Sequence, residues 1–456
     1  MIGKKTQDKH AYMTETPVPK LITSLAIPTI ISMLVTGLYN SADTYFVGQI
    51  PQSATQATAA VGIVFPIMAV IQAVGFMFGN GSGNFLSRML GAGKIKEASE
   101  MAATGFILAM ITGVIFAIVG NVYIDGIIKF FVTDEVSAET VTMAAQYGRI
   151  ILMGAPFMMC QFVVNNQLRF QGSAVYAMIG LMAGAVINIF LDPLLIIALG
   201  LGVKGAAIAT ISGQVTSFFV LLAGSFRGEN IKLHAKNIRI NGYYIVQIIN
   251  GGIPSLFRQG LAALASILMN RAAGIYGGVP AIAGMSIVSR VMLMLSSALI
   301  GFGQGYQPLC SYNYGAGLKS RVREGYWFCV KWGTAALIVI SIACYAYAPQ
   351  IIAFFRNDAD VVSVGKVALR FQSVVFPVNA VIVMTNMMLQ SIGKGVKASI
   401  TSSARNGLFF IPMIIILPKL FGLTGVEAAQ SVADAMTLVL SVPFAVSELK
   451  YMEKMQ

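Results

Sequence analysis

The sequence predicts an all-α polytopic membrane protein of twelve transmembrane helices in two parallel six-helix repeats, and three observations carry that expectation. The first is composition: 56% of residues are hydrophobic, only 11% are charged, and mean hydropathy is +0.76. A soluble domain carries about 25% charged residues. The second is run length, since a spanning helix needs roughly 20 predominantly apolar residues. Such runs lie near 21–48, 56–87, 98–123, 143–168, 174–199, 203–226, 243–276, 280–313, 325–347, 362–391, 399–418 and 423–447. The third is repetition: Gly79 to Gly93 (GNGSGNFLSRMLGAG) matches Gly303 to Gly317 (GQGYQPLCSYNYGAG) at six positions without a gap.

The repetition extends along the chain. Ile27-Pro28 pairs with Ile253-Pro254. Arg149, Pro156, Asn165, Leu168, Gly172 and Ala177 pair with Arg370, Pro377, Asn386, Leu389, Gly393 and Ala398, all at an offset of 221 residues. Gly202, Gly205 and Ala209 pair with Gly422, Gly425 and Ala429 at 220. Blocks in the same order mean two halves built on one plan, which divides the chain into an N-terminal lobe (1–226), a polar basic linker (227–241) and a C-terminal lobe (242–456). In a membrane protein such a plan points to a transporter whose site lies between the halves.

Basic residues set the expected orientation. One set of termini and loops carries twenty Lys and Arg, from Lys4 and Lys5 through Arg88, Arg169, Arg239, Arg321 and Arg405 to Lys454; the opposite set carries five, Lys129, Lys204, Arg356, Lys366 and Lys419. The excess places both termini in the cytoplasm of a multi-pass protein of the bacterial cytoplasmic membrane. An even number of spans per half makes the repeats parallel. The net charge of +13 is then topogenic, and nucleic acid is not an expected partner. No cleavable signal is expected, because the first apolar run exceeds a signal h-region of about 7–15 residues.

The catalytic inventory is thin, and an enzyme is not expected. His10 and His234 fall in polar segments, and Cys160, Cys310, Cys329 and Cys344 lie in or beside apolar runs without CxxC spacing. The GNGSG run lacks the Lys-Ser/Thr of a phosphate-binding loop, so its glycines read as close helix contacts. With no nucleotide-binding segment, an ion gradient would have to drive transport.

Ionisable side chains inside spans cost about 2.5–3.5 kcal/mol each on insertion scales and are candidates for function. The first repeat places two acids well inside spans, Asp43 in the first and Asp192 in the fifth. At 1.5 Å per residue they lie roughly 8 and 10 Å from the same face. Asn188 is one turn from Asp192, and Thr210 of the sixth span returns to roughly 10 Å. Two carboxylates, an amide and a hydroxyl at one level suit a hard cation, and a carboxylate beside another could carry a proton instead. The alternative is a helix-capping Asp43 and an Asp192 that precedes the kink at Pro193. In the second repeat, equal depth suggests a structural ion pair between Arg290 and Asp434, while Arg258 lies near mid-membrane with no acid at its level.

Asp43-Thr44-Tyr45-Phe46-Val47-Gly48, the Asn188 to Asp192 stretch NIFLD, the two GAG-ended segments and the six-plus-six plan together resemble the multidrug and toxic compound extrusion (MATE) family over essentially the whole chain. The resemblance implies a V-shaped pair of lobes around a cavity, exporting amphipathic or cationic drugs in exchange for Na⁺ or H⁺, with Asp43, Asn188, Asp192 and Thr210 as the cation site and no other cofactor or metal. The seventh span lacks an acid and the tenth has only Asp360 at its entrance, so the chain looks like the branch that couples in the first lobe, including staphylococcal-type drug exporters. Candidate cavity residues are Met153, Phe157, Asn165, Asn166, Gln167, Met292, Gln304, Gln307 and Asn379; methionine and aromatic surfaces adapt to varied ligands. Besides drugs, the expected partners are membrane lipids, and the duplicated chain makes a monomer sufficient. A lipid-linked precursor flippase of the wider superfamily stays open as the alternative, favoured by the second-lobe arginines.

Overall fold

A computed structural model describes residues 2–50, 54–132 and 136–454. Among them every regular element is helical. An N-terminal helix α1 (Ile2–Glu15) precedes α2 (Val18–Val47), α3 (Ala54–Gly91), α4 (Ile95–Phe131), α5 (Ala138–Phe170), α6 (Ala174–Asp192) and α7 (Gly202–Ser225). The second repeat comprises α8 (Gly242–Gly315), α9 (Lys319–Ala346), short α10 (Ala348–Phe355), α11 (Ala359–Val375), α12 (Asn379–Ser391), α13 (Gly395–Ser403), α14 (Phe410–Phe421) and α15 (Leu423–Lys454).

Helix α8 resolves the span count. Its 74 residues would stretch about 110 Å if straight, far beyond a hydrocarbon core of about 30 Å. It breaks at Gly278, whose φ of 64° admits no ordinary helix, with Pro280 just beyond. Residues 242–277 and 279–315 are therefore two spans. The pairs α11–α12 and α13–α14 continue through a 3₁₀ turn (Phe376–Val378) and a π-helical turn (Ala404–Leu408), each pair crossing once. Six spans per repeat result, as expected. Helix α1 is the one long element that the apolar runs did not announce.

The repeats share their turns in detail. After α3, Gly93 adopts φ 74° and Lys94 N–H donates to Met89 O at 2.8 Å; after α8, Gly317 adopts φ 79° and Leu318 N–H donates to Asn313 O at 2.9 Å. Gly172 and Gly393 close α5 and α12 in the same way, at φ 80° and 84°. These are left-handed glycine caps that satisfy the last helical carbonyls where the chain must turn sharply. Side chains repeat too: Asn165 Nδ2 donates to Ala177 O at 3.1 Å, and Asn386 Nδ2 to Ala398 O at 2.7 Å.

The repeats meet at the end that carries both termini. There a Cβ added at Gly81 would overlap the Ile248 carbonyl, one at Gly91 the Tyr312 carbonyl, and one at Gly315 the Arg88 carbonyl. Gly305 similarly lies against Ala26, and Gly301 against Ile30. Close backbone approach through glycine is the usual way for membrane helices to associate. Asn80 Nδ2 to Ser255 Oγ at 3.0 Å, Arg88 Nη1 to Ser391 O at 2.8 Å and Tyr244 OH to Glu100 Oε2 at 2.6 Å join the repeats in this same half. These close contacts between the repeats all lie at this end.

Two elements cut across the division. Helix α2 starts in the apolar core of the second repeat through Leu21, Ile22 and Leu25, and ends in that of the first through Val47. Helix α1 spans both repeats: Lys9 Nζ donates to Asn230 Oδ1 at 2.8 Å and Ser173 Oγ at 3.2 Å, His10 Nδ1 bonds Tyr312 OH at 3.0 Å, and Asn313 Nδ2 donates to Met13 O at 3.0 Å. The linker around residues 227–241 is tied to the first repeat, Ile231 N–H donating to Gln171 Oε1 and Arg239 N–H to Thr104 Oγ1.

Candidate functional site

Helices α6 and α7 cross through small residues. A Cβ at Gly184 would lie 2.6 Å from Gly213 O, and one at Gly213 would lie 2.7 Å from Gly184 O and 3.1 Å from Asn188 Cβ. That contact brings the polar faces of the two helices together. Asp192 ends α6, where Pro193 removes a helical N–H and the chain passes into a π-helical turn (Pro193–Ala198). Asp192, Asn188 and Thr210 are all buried, with Asp192 at 0% exposure.

The hydrogen bonding of this group is incomplete. Asn188 Nδ2 donates to Asp192 Oδ1 at 3.4 Å, and Thr210 Oγ1 donates to Ala206 O at 3.0 Å, which leaves the hydroxyl lone pairs unused. Asp43 on α2 is close enough for its charge to act on Asp192. Asp43 Oδ1, Asn188 Oδ1 and Asp192 Oδ2 are buried with no hydrogen-bond partner among the described residues. An unsatisfied buried acceptor costs about 1–3 kcal/mol, and more when charged. Three such oxygens lie on two helices, and neither carboxylate is paired with a Lys or Arg among the described residues.

Asp434, one of the buried acids of the second repeat, is built in the opposite way. Asp434 on α15 accepts from Arg405 Nε at 2.9 Å and Nη2 at 3.2 Å, from Asn379 Nδ2 at 3.0 Å and from Gln430 Nε2 at 2.8 Å. The expected Arg290–Asp434 pair does not form; Arg290 is exposed, and Arg405 takes its place. Equal depth fixed only the level, whereas the partner is chosen by the direction each helix face points. The basic-residue tally counts Arg405 with the loops although it falls within the 399–418 run; it stands on the π-helical turn that follows α13, inside the span.

The expected cavity residues do not share one open wall. Asn165 and Gln167 serve as struts, Gln167 Nε2 donating to Ser82 Oγ and Ala102 O at 3.1 Å each. Asn166 accepts from Arg169 Nη2 at 2.6 Å, Gln307 Nε2 donates to Gln390 Oε1 at 3.1 Å, and Asn379 is spent on Asp434. Gln304 is buried with Oε1 unpartnered, Met292 is buried, Phe157 packs on Phe218 with centroids 5.7 Å apart, and Met153 is exposed. Polar residues in a long apolar chain are as readily used to fasten helices as to meet a ligand.

Several residues escaped the sequence reading. Arg169, placed in a loop, is buried and donates to Asn80 Oδ1 at 3.2 Å. Asn80, Ser255 and Gln390 then carry a polar chain from one repeat to the other, Gln390 Nε2 donating to Ser255 Oγ at 2.8 Å. Glu427, near the start of α15, is buried without an ion-pair partner among the described residues. The four cysteines are free and buried. No group of three or more His, Cys, Asp or Glu that could hold a metal ion gathers among the described residues.

Comparison with known proteins adds to this geometry. The chain is 28% identical over 436 residues to the multidrug export protein MepA of Staphylococcus haemolyticus (strain JCSC1435), covering 94% of each. It superposes with a TM-score of 0.90 on a MATE transporter crystallised in complex with MaL6, at 25% identity and over 98% of this chain and 99% of that one. The same TM-score relates it to an outward-facing multidrug resistance MATE transporter of the MOP superfamily, at 25% identity over 97% and 98%. The MatE family model matches residues 28–194 and then residues 254–416. Two matches to one family model, falling on the halves that the paired glycine caps had already set in register, make the chain a member of the MatE family, the multidrug and toxic compound extrusion transporters.

Proposed function

We propose that the protein exports amphipathic or cationic organic compounds from the bacterial cytoplasm by antiport against Na⁺ or H⁺, with Asp43, Asn188, Asp192 and Thr210 as the coupling site. The observation that carries this reading is the set of three buried, unpartnered oxygens on Asp43, Asn188 and Asp192. A fully oxygen donor set suits a hard cation, and carboxylates can take a proton in its place. The name of the related export protein supports drugs as cargo.

The lobes 1–226 and 242–456 move against each other about the linker 227–241, with both termini cytoplasmic and a single chain sufficient. In that orientation the closed end faces the cytoplasm and the cleft faces outward. Helix α2 is the transmitting element: Asp43 lies near one end, while Ala26 and Ile30 near the other touch the second repeat at Gly305 and Gly301. Filling the carboxylate site neutralises the charge that holds α2, α6 and α7 apart, and the helices repack, bending at Pro28. Coupling follows because the cation binds one arrangement of these helices more tightly than the other.

The test is dye export by the wild type and Asp43→Asn in vesicles, with Na⁺ and pH gradients imposed separately. Movement driven by one gradient and abolished in the variant is the expected result and identifies the ion. Equal export by Asp43→Asn under the same gradient would overturn the site.

A further inference from the structure

We propose a second binding subsite, for an anionic oxygen of the cargo such as a carboxylate, formed by Arg258 and Arg169 at the floor of the cleft. The inference rests on the export reading above and adds a substrate feature to it. Its residues are separate from the cation site.

The position follows from the contact between the repeats. On the first half of α8, Ser255 bonds Asn80 across the closed end. Arg258 is one turn further toward the open end, roughly 4.5 Å along the axis. It is partly buried, and it has no hydrogen bond or ion pair among the described residues. Arg169 approaches from the first repeat, held by Asn80 and Asn166, with its Nε buried and unpartnered. Asn80 links the two, its Oδ1 accepting from Arg169 and its Nδ2 donating to Ser255, one turn from Arg258, and neither arginine forms an ion pair among the described residues. Arg169 is held by the two amides and lies 5.2 Å over the Phe170 ring, yet its Nε stays unpartnered, and buried cationic groups without an acid call for water or an anion. Their planar N–H edges fit a carboxylate or phosphate, and the amides of Asn80 and Asn166 already fix one of the pair in place. Asp434 shows the alternative solution in the same fold, an arginine neutralised within the protein.

A zwitterionic amphiphile would then be held at both ends, its cationic part responding to the carboxylate wall and its acid to the arginine floor. The test uses two dyes that differ only in charge at one group: rhodamine 6G, an ethyl ester, and rhodamine 19, its free carboxylic acid. Binding is measured by fluorescence anisotropy to the full chain in phosphatidylcholine nanodiscs. Arg258→Gln is expected to weaken the free acid about tenfold, the loss of one charge-assisted hydrogen bond, while leaving the ester unchanged; Arg258→Lys should recover part of it. Equal effects on both dyes, or none, would overturn the proposal. Repeating the titration in discs containing phosphatidylglycerol separates cargo from lipid: if anionic lipid abolishes the preference for the acid, the occupant is a headgroup and the cargo assignment fails. Protection by sodium benzoate against thermal unfolding, wild type compared with Arg258→Gln, decides the subsite even if neither dye binds, an outcome that would count against the export reading instead.

Discussion

Removing Asp434 should unfold the second repeat far more readily than removing either coupling acid, and the contrast can be worked from the hydrogen bonds. Asp434→Ala deletes an acceptor for four donors and strands the Arg405 guanidinium, whose side chain is 24% exposed, beside the amides of Asn379 and Gln430. Breaking a buried ion pair on one side costs about 3–5 kcal/mol, while replacing both partners by apolar groups of similar size is close to neutral. Arg405→Met should therefore cost about as much as Asp434→Ala, and Arg405→Met with Asp434→Leu should recover most of the loss. Arg290→Ala, at an exposed position, should cost about 0.5 kcal/mol or less. By the same reasoning Asp192→Asn should not destabilise, because Asp192 Oδ2 has no donor to lose. The assay is equilibrium unfolding in mixed micelles, arranged as a double-mutant cycle with a dye-export measurement on each variant. The reasoning fails if Arg405 and Asp434 losses simply add, or if Arg290→Ala proves as damaging as Arg405→Met.

Three other outcomes are expected. The coupling ion should stabilise the wild type by about 1.4 kcal/mol per tenfold increase above its dissociation constant, and thermal unfolding of Asp43→Asn and Asp192→Asn should lose that dependence; an unchanged slope in both variants would remove them from the site. Gly81→Leu and Gly315→Leu should prevent closure at the terminal end, because their side chains would overlap the Ile248 and Arg88 carbonyls; cysteine labelling at Ser255 should rise in both, and an unchanged rate would refute the contact. Docking of α1 should depend on pH through Lys9, which burial lowers from 10.5 to about 8 against the opposing charge of Glu229. The docked form binds fewer protons than the free one, so docking strengthens as pH rises from about 8 to 10.5 and is flat below about 8. Limited proteolysis within α1 should report this, and Lys9→Met should remove the dependence; strengthening on acidification would contradict it.

The sequence by itself determined the membrane fold, the duplication and the residues proposed for the cation site. Apolar runs of about 20 residues leave a chain few ways to bury its backbone, and glycine caps must recur wherever helices turn sharply. Asp43, Asn188, Asp192 and Thr210 were legible because charge inside a span is rare and depth is simple arithmetic along one helix. Tertiary structure decided which polar groups are satisfied. Asn165, Gln167 and Asn379 looked like ligand contacts and are bound to the protein itself, while Arg169 looked like a loop residue and is buried between the repeats. Arg405 takes the place of Arg290 as the partner of Asp434 because each residue turns a helix face by about 100°, and the π-helical turn that carries Arg405 redirects a side chain that depth alone leaves free. A level in the membrane follows from position in the chain; the direction a side chain faces follows from how the helices pack.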